Sequence, residues 1–140
     1  MTTAGPAVRG NTVYFTEAGP IPHHPEDAKL MSLSANSSTA KEVASASGLN
    51  VGLFVDVEFG LGNAIFALAQ GMWDGPFEGA PAQPNTGALL MLKPNDIFNV
   101  IADSLNLPTS IEFIGNKAYI VSLAGELWEI NNASSSFHVY

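Results

Sequence analysis

The sequence predicts an all-β protein of about three four-stranded antiparallel blades, which together make half of a six-bladed β-propeller. Three Gly-Asn pairs each open a short apolar strand, and Asn11, Asn63 and Asn116 lie 52 and 53 residues apart (63 − 11 and 116 − 63). A period of about 40 to 50 residues made of strands and turns is typical of propeller blades. The composition agrees, with 46% hydrophobic residues, 13% charged residues, 13 glycines and 9 prolines in 140 residues.

Alternating apolar and polar residues divide each repeat into strands A to D, counted from the inner strand outward. The predicted A strands are 4–9, 53–59 and 108–113, and the predicted B strands are 12–17, 64–69 and 117–123. The predicted C strands are 30–33, 88–92 and 126–130, and the predicted D strands are 40–44, 97–101 and 137–140. The blades are therefore expected at about 4–45, 51–102 and 107–140.

The best internal match joins the A strands of the last two repeats. Val57-Glu58-Phe59 overlays Ile111-Glu112-Phe113, and each is followed by a short Gly-Asn hairpin. One segment allows two interpretations, because residues 95–105 also begin with a helix cap and have near-helical apolar spacing. The repeat favours a strand there.

A fan of three blades leaves the outer faces of its end blades uncovered, which repeat proteins avoid by capping or closing. We therefore expect one of two arrangements. Either two copies pair around a twofold axis into a six-bladed ring, or the chain is the carboxy-terminal half of a longer polypeptide and a complementary half covers it.

Charge and cysteine content restrict the function. The formal net charge of −8 disfavours nucleic acid and anionic membrane surfaces as partners, and no apolar run approaches the ~18 residues of a membrane-spanning helix. Cysteine is absent, which excludes disulfides and thiol catalysis. Residues 1–10 have no apolar signal core, so we expect a cytoplasmic protein, or a secreted or periplasmic one if a leader was removed. Asn36 and Asn132 begin glycosylation triplets that would matter only after secretion in a eukaryote.

Several stretches resemble a known family. They are GNTVYFTEAG at 10–19, VDVEFG at 55–60, WDGPFEG at 73–79, PNTG at 84–87 and PTSIEFIGN at 108–116. These stretches resemble the ScyD/ScyE family, which is named from cyanobacterial scytonemin pigment clusters and is similar to NHL-type and SMP-30-type six-bladed propellers. The resemblance covers nearly the whole chain but only the later part of a typical member. It implies a propeller fold and carries over no reaction and no catalytic motif.

Two long loops are predicted on one rim of the blades, where strand B leads to strand C, at 17–28 and 70–86. The first loop contains Glu17, His23, His24, Glu26 and Asp27. Imidazoles beside carboxylates can bind a divalent metal or act as an acid/base pair. Alternatively, the loop is solvated and shaped by its three prolines.

The second loop combines two aromatic residues, Trp73 and Phe77, with two carboxylates, Asp74 and Glu78. Such a loop can stack on a planar or sugar-like ligand while the carboxylates accept its hydrogen bonds. Two other interpretations remain open: the aromatic residues anchor the loop to its blade, or they are buried against a partner chain.

Carboxylates are also predicted along the inner strands, at Asp56, Glu58 and Glu112. Carboxylates in a propeller channel can hold a divalent metal or an activated water, and the resemblance implies this use for SMP-30-like relatives. Alternatively, Glu58 and Glu112 match only because the blades share one construction.

The sequence supports three functional hypotheses. The first is a ligand-binding or scaffold protein that works in a completed ring. The alternative is a small-molecule enzyme, such as a lactonase-like hydrolase or a biosynthetic tailoring enzyme, that uses the channel carboxylates and a divalent metal. The third is an assembly module whose exposed blade edges recruit a different protein.

Overall fold

The computed structural model describes residues 3–75, 77, 79–131 and 133, which form three antiparallel sheets. The first sheet contains β1 (Thr3–Arg9), β2 (Thr12–Glu17), β3 (Lys29–Ser34) and β4 (Lys41–Ser45). The second contains β5 (Gly52–Phe59), β6 (Ile65–Gly71), β7 (Gly87–Leu92) and β8 (Phe98–Leu105). The third contains β9 (Pro108–Ile114), β10 (Lys117–Ser122) and β11 (Leu127–Ile130). Short 3₁₀ helices span Pro25–Asp27 and Leu61–Asn63.

Each sheet is a meander whose strands pair in chain order, and we call the three sheets the first, second and third blades. The predicted all-β class and its blade-like sheets are therefore confirmed. The third blade has three strands among the described residues, and the predicted strand 137–140 lies outside them. In the described part of the chain, no helix has the length and apolar character needed to cross a membrane.

Glycine sets the two tight hairpins between the A and B strands. Arg9 pairs with Thr12, and Ile114 pairs with Lys117, so Gly10 and Gly115 each begin a two-residue turn. Both glycines adopt the left-handed region, with φ values of 60° and 62°, which glycine reaches without a steric penalty.

The second blade differs from the predicted short hairpin at this point. Phe59 pairs with Ile65, so the connection is longer and contains the Leu61–Asn63 helix. Gly62 and Asn63 are both left-handed, with φ values of 76° and 61°. Because this turn takes up Ala64, β6 begins one residue later than expected.

The ambiguous segment at 95–105 forms a turn followed by a strand, and the helical interpretation is wrong. Asp96 has a φ of 61°, which is incompatible with the first turn of a right-handed helix. Its N–H donates to the Lys93 carbonyl at 2.9 Å, and the Lys93 N–H donates to the Ile97 carbonyl at 2.9 Å. These bonds close a hairpin between β7 and β8, and β8 then continues to Leu105, beyond the expected end at 101.

The three blades pack face to face around two apolar cores. One core lies between the first and second blades and includes Leu30, Phe54 and Leu90. The other lies between the second and third blades and includes Leu68 and Ile120. The second blade is therefore apolar on both faces, which explains why every residue of β6 is buried.

The B strands alternate in the same way in all three blades. The second and fourth residues after each Gly-Asn asparagine lie on the backward face, which we define as the face toward the preceding blade. The third and fifth lie on the forward face, toward the following blade. In β6, for example, Ile65 and Ala67 belong to the core with the first blade, whereas Phe66 and Leu68 belong to the core with the third.

Candidate functional site

Asp56 lies where the inner strands of the three blades approach one another. Its Oδ1 accepts the N–H of Val57 at 2.9 Å, and its Oδ2 accepts the N–H of Ile111, on β9, at 2.9 Å. A Cβ added to Gly5, on β1, would lie 2.9 Å from Asp56 Oδ1. One carboxylate therefore bonds the second blade to the third and faces the backbone of the first across a glycine.

Glu58 and Glu112 lie beside Asp56 on the same two inner strands. Burial raises the pKa of the Glu58 carboxyl above its ordinary value of 4.5, and the negative charge of Glu112 raises it further. Burial also raises the pKa of Asp56 above 3.8, although the N–H groups of Ile111 and Val57 act in the opposite direction. The structure thus brings the three predicted inner-strand carboxylates into electrostatic contact.

The predicted divalent metal remains a hypothesis at these carboxylates. Among the described residues, no group of three or more histidine, aspartate or glutamate side chains is arranged to hold a metal ion. Both oxygens of Asp56 already accept backbone N–H groups. The observed chemistry of this region is hydrogen bonding between strands and repulsion between like charges.

The two long rim loops meet through His23 and Trp73. Their rings lie edge to face, with centroids 4.8 Å apart and an interplanar angle of 84°. His23 is buried, and its Nδ1 has no hydrogen-bond partner among the described atoms. A contact between loops about 50 residues apart arises because the first and second blades are stacked.

Trp73 also closes its own loop. Its Nε1–H donates to the Ala80 carbonyl at 2.7 Å. The Asp74 carboxylate nearby accepts the Nε2–H of Gln83 at 2.7 Å. The observed contacts of Trp73 and Asp74 therefore hold the loop in shape.

Gln70 and Thr86 anchor this loop, and neither was singled out from the sequence. The buried Gln70 accepts the Ala82 N–H at 3.0 Å through its Oε1. The Thr86 hydroxyl accepts the Met72 N–H at 2.9 Å and donates to the Gln83 carbonyl at 2.7 Å. The signal available in the sequence was a single amide at the end of the apolar run of β6.

The other predicted rim residues are Glu17, His24, Phe77 and Glu78. Glu17 is half-buried at the end of β2, where it pairs with Lys29 in the neighbouring strand, while His24 and Phe77 are exposed. Glu78 lies outside the described residues. The structure thus brings His23 and Trp73 together and leaves His24 and Phe77 on the surface.

A groove that the sequence analysis did not anticipate lies between the outer strands of the first two blades. Its volume is about 440 Å³, and it runs between β4 and the start of β8. Val43, Leu49 and Ile97 supply apolar lining, and Glu42 and Asp96 supply carboxylates. Glu42 is already paired with Lys29, whose Nζ lies 3.3 Å from its Oε1.

No family model matches this chain, and neither the search of curated proteins nor the search of solved structures found a match.

Proposed function

We propose that this protein is a binding scaffold that works as half of a closed β-propeller, with its end faces covered by further blades. The observation that carries this proposal is a difference in exposure between equivalent positions. Leu68 and Leu89 pair on the forward face of the second blade and are both 0% exposed. Their equivalents in the third blade, Val121 and Leu127, are 42% and 66% exposed.

The first blade supports the same conclusion. There, the residues equivalent to Leu68 and Leu89 are Thr16 and Leu30, which pair with each other and are fully buried against the second blade. These two forward positions are therefore buried in both blades that a following blade covers. A contiguous apolar face on a soluble protein usually marks an interaction surface, because exposed apolar area is unfavourable in water.

The ligand side of the scaffold is the rim and the inner strands. Loops on one rim of a rigid β scaffold are the usual location of binding residues. The carboxylates of Asp56, Glu58 and Glu112 and the net charge of −8 favour neutral or cationic small molecules over anionic ones. The resemblance to ScyD/ScyE proteins is compatible with such a role but names no ligand.

The mass of the purified chain in solution tests the scaffold proposal, measured by light scattering after gel filtration over a range of concentrations. We expect a mass above the 14.7 kDa of one chain. Leu127→Glu places a charge on the uncovered face and should return the mass to that of a monomer. A monomer at every concentration, unchanged by Leu127→Glu, would refute the proposal. Leu33→Glu is the matched variant for the other end face, because it places a charge on the first blade.

A second candidate function is hydrolysis of a small ester or lactone by the inner-strand carboxylates. The raised pKa of Glu58 favours it, because a carboxyl that holds its proton closer to neutral pH is a better general acid. Glu58→Gln should then abolish hydrolysis while leaving the circular dichroism spectrum unchanged. This candidate fails if the wild-type chain hydrolyses none of a panel of lactones, with or without added divalent metal.

A further inference from the structure

We infer that the partner covering the end faces is a second copy of this chain, packed head to tail. In this arrangement the third blade of each copy lies on the first blade of the other, and six blades close around a twofold axis. The inference rests on the proposed function, because it identifies the partner that this function requires. The contacts that already join the blades within one chain support it.

An aromatic pair recurs at both blade interfaces of the chain. Tyr14 meets Phe59 of the next blade with ring centroids 5.8 Å apart, and Phe66 meets Phe113 of the next blade at 4.6 Å. Tyr14 and Phe66 are both the third residue after a Gly-Asn asparagine. One contact therefore repeats with the period of the sequence.

The series continues at Tyr119, the third residue after Asn116, on the forward face of the third blade. Its partner in the next blade would be the equivalent of Phe59 and Phe113. That equivalent is Val8, because each of the three pairs with the second residue after a Gly-Asn asparagine. Val8 is 63% exposed, so it is free to receive Tyr119 of another copy.

The backward face of the first blade has the composition of an interface. Cross-strand pairing places Val8 opposite Val13, Val13 opposite Leu33, and Phe15 opposite Met31, all on this face. The residues equivalent to Val13 and Phe15 in the other two blades are buried against a preceding blade; they are Ile65, Ala67, Ala118 and Ile120.

The forward face of the third blade is its counterpart. It presents Tyr119, Val121 and Leu127, together with Ile114 at the end of β9. The charges on this face are partly neutralised, because Lys117 Nζ lies 3.7 Å from a carboxylate oxygen of Glu129. The chain thus presents one side of an inter-blade contact at each end of its fan, with Val8 at the position that Phe59 and Phe113 occupy in the other blades, which favours a second copy over an unrelated protein.

Cysteine cross-linking tests directly whether Val8 of one copy lies beside Tyr119 of the other, because the chain contains no cysteine. Val8→Cys and Tyr119→Cys are made as separate single variants; Val8 is exposed on the first blade, and Tyr119 is half-buried on the third. A short bismaleimide reagent is used in place of disulfide formation, because a disulfide forms only between Cβ atoms about 3.5–4.5 Å apart and the reagent bridges longer separations. The products are separated on a denaturing gel.

We expect a covalent dimer of 29.4 kDa, twice 14.7 kDa, when the two single variants are mixed. Neither variant alone should cross-link, because the proposed contact joins Val8 of one copy to Tyr119 of the other. Light scattering should give the same dimer mass for the wild-type chain without reagent. Tyr119→Glu should weaken dimerisation by roughly tenfold to a hundredfold, as loss of a central interface residue does.

Three results would overturn the inference. Cross-linking of Tyr119→Cys with itself would show that two third blades face each other. Masses that grow beyond the dimer with concentration would show an open array of copies. In either case the scaffold proposal survives, because the end faces still associate. A monomer that Leu127→Glu and Tyr119→Glu leave unchanged would overturn both proposals.

Discussion

Replacing Asp56 by alanine tests whether one carboxylate holds the inner strands of the second and third blades together. The side chain accepts two backbone N–H groups at 2.9 Å, from Val57 and Ile111. A hydrogen bond to a charged group contributes about 1.5–3 kcal/mol to stability. Two such bonds set an upper bound on the loss of stability in Asp56→Ala.

The expected loss is smaller than this bound, because burial opposes the charge. Desolvation is the largest influence on Asp56 and raises its pKa above 3.8 despite both hydrogen bonds. The ionised form is therefore less favourable in the folded protein than in the unfolded chain. For a half-buried carboxylate with these opposing influences, we expect Asp56→Ala to lower the free energy of unfolding at pH 7 by about 1–2 kcal/mol.

Urea unfolding measures this loss, and amide hydrogen exchange locates it. The Ile111 N–H should exchange faster in Asp56→Ala than in the wild-type chain, because its acceptor is gone. Asp103→Ala is the matched control, since Asp103 is an exposed aspartate on β8 whose contact is the Ser104 hydroxyl at 3.3 Å. Equal stability of Asp56→Ala and the wild-type chain, with unchanged exchange at Ile111, would refute the role of Asp56.

The pH dependence of stability shows independently whether burial or hydrogen bonding dominates at Asp56. A carboxyl whose folded pKa is raised binds its proton in the folded state before the unfolded chain does. The part of its contribution that comes from protonation is therefore complete below pH 3.8 and is lost as the pH rises through the raised folded pKa of Asp56. The difference in stability between the wild-type chain and Asp56→Ala should thus grow on acidification from neutral pH. A difference that shrinks would show that hydrogen bonding outweighs desolvation.

Three further changes test the other contacts of the site. Glu58→Gln removes repulsion with Glu112, so the melting temperature at pH 7 should rise, and added salt should reduce that gain by screening the wild-type charges. Trp73→Phe loses the 2.7 Å bond to the Ala80 carbonyl and should destabilise the second rim loop by about 1 kcal/mol, seen as faster amide exchange across 72–86. Gly60→Ala would place a methyl group 2.5 Å from a phenylalanine ring carbon between the second and third blades, and it should cost about 1–3 kcal/mol in urea unfolding.

Each of these changes has an outcome that contradicts it. Glu126→Gln removes an exposed carboxylate from the turn after β10 and is the charge control for Glu58→Gln. Equal gains in both variants would trace the effect to net charge instead of local repulsion. Exchange in Trp73→Phe that matches the wild-type chain would mean that the loop is held without the indole. An unchanged unfolding midpoint for Gly60→Ala would show that the Phe66 ring moves away from the added methyl group at no cost in stability.

The repeat made the fold predictable because one period carries both the turn chemistry and the side-chain alternation. Gly10 and Gly115 have the positive φ that their tight turns require, and the residues that follow alternate between two faces. The segment at 95–105 was harder, because an Asn-Asp pair can cap a helix or form a turn. Asp96 adopts a left-handed backbone conformation, which forms a turn and excludes the helix. Local sequence preference alone does not specify that conformation.

The site was less predictable than the fold because its contacts cross between blades. The sequence placed Asp56 on an inner strand, but the N–H it accepts belongs to Ile111, 55 residues away. Trp73 was open to three interpretations, and its bond to Ala80 depends on how the intervening loop folds. Such contacts form only between stacked blades. A sequence repeat therefore predicts which blade faces meet, but it does not predict which polar atoms on those faces form hydrogen bonds.

The end faces are a stronger guide to function than the carboxylates. Carboxylates that recur at equivalent positions are explained by shared blade construction, and both oxygens of Asp56 already accept backbone N–H groups. Shared construction does not explain why Leu127 is 66% exposed when the equivalent Leu89 is fully buried. The forward face of the third blade has the apolar residues of a buried face but is exposed to water, and a further blade that covers it would explain this. The mass of the chain in solution decides whether that blade belongs to a second copy.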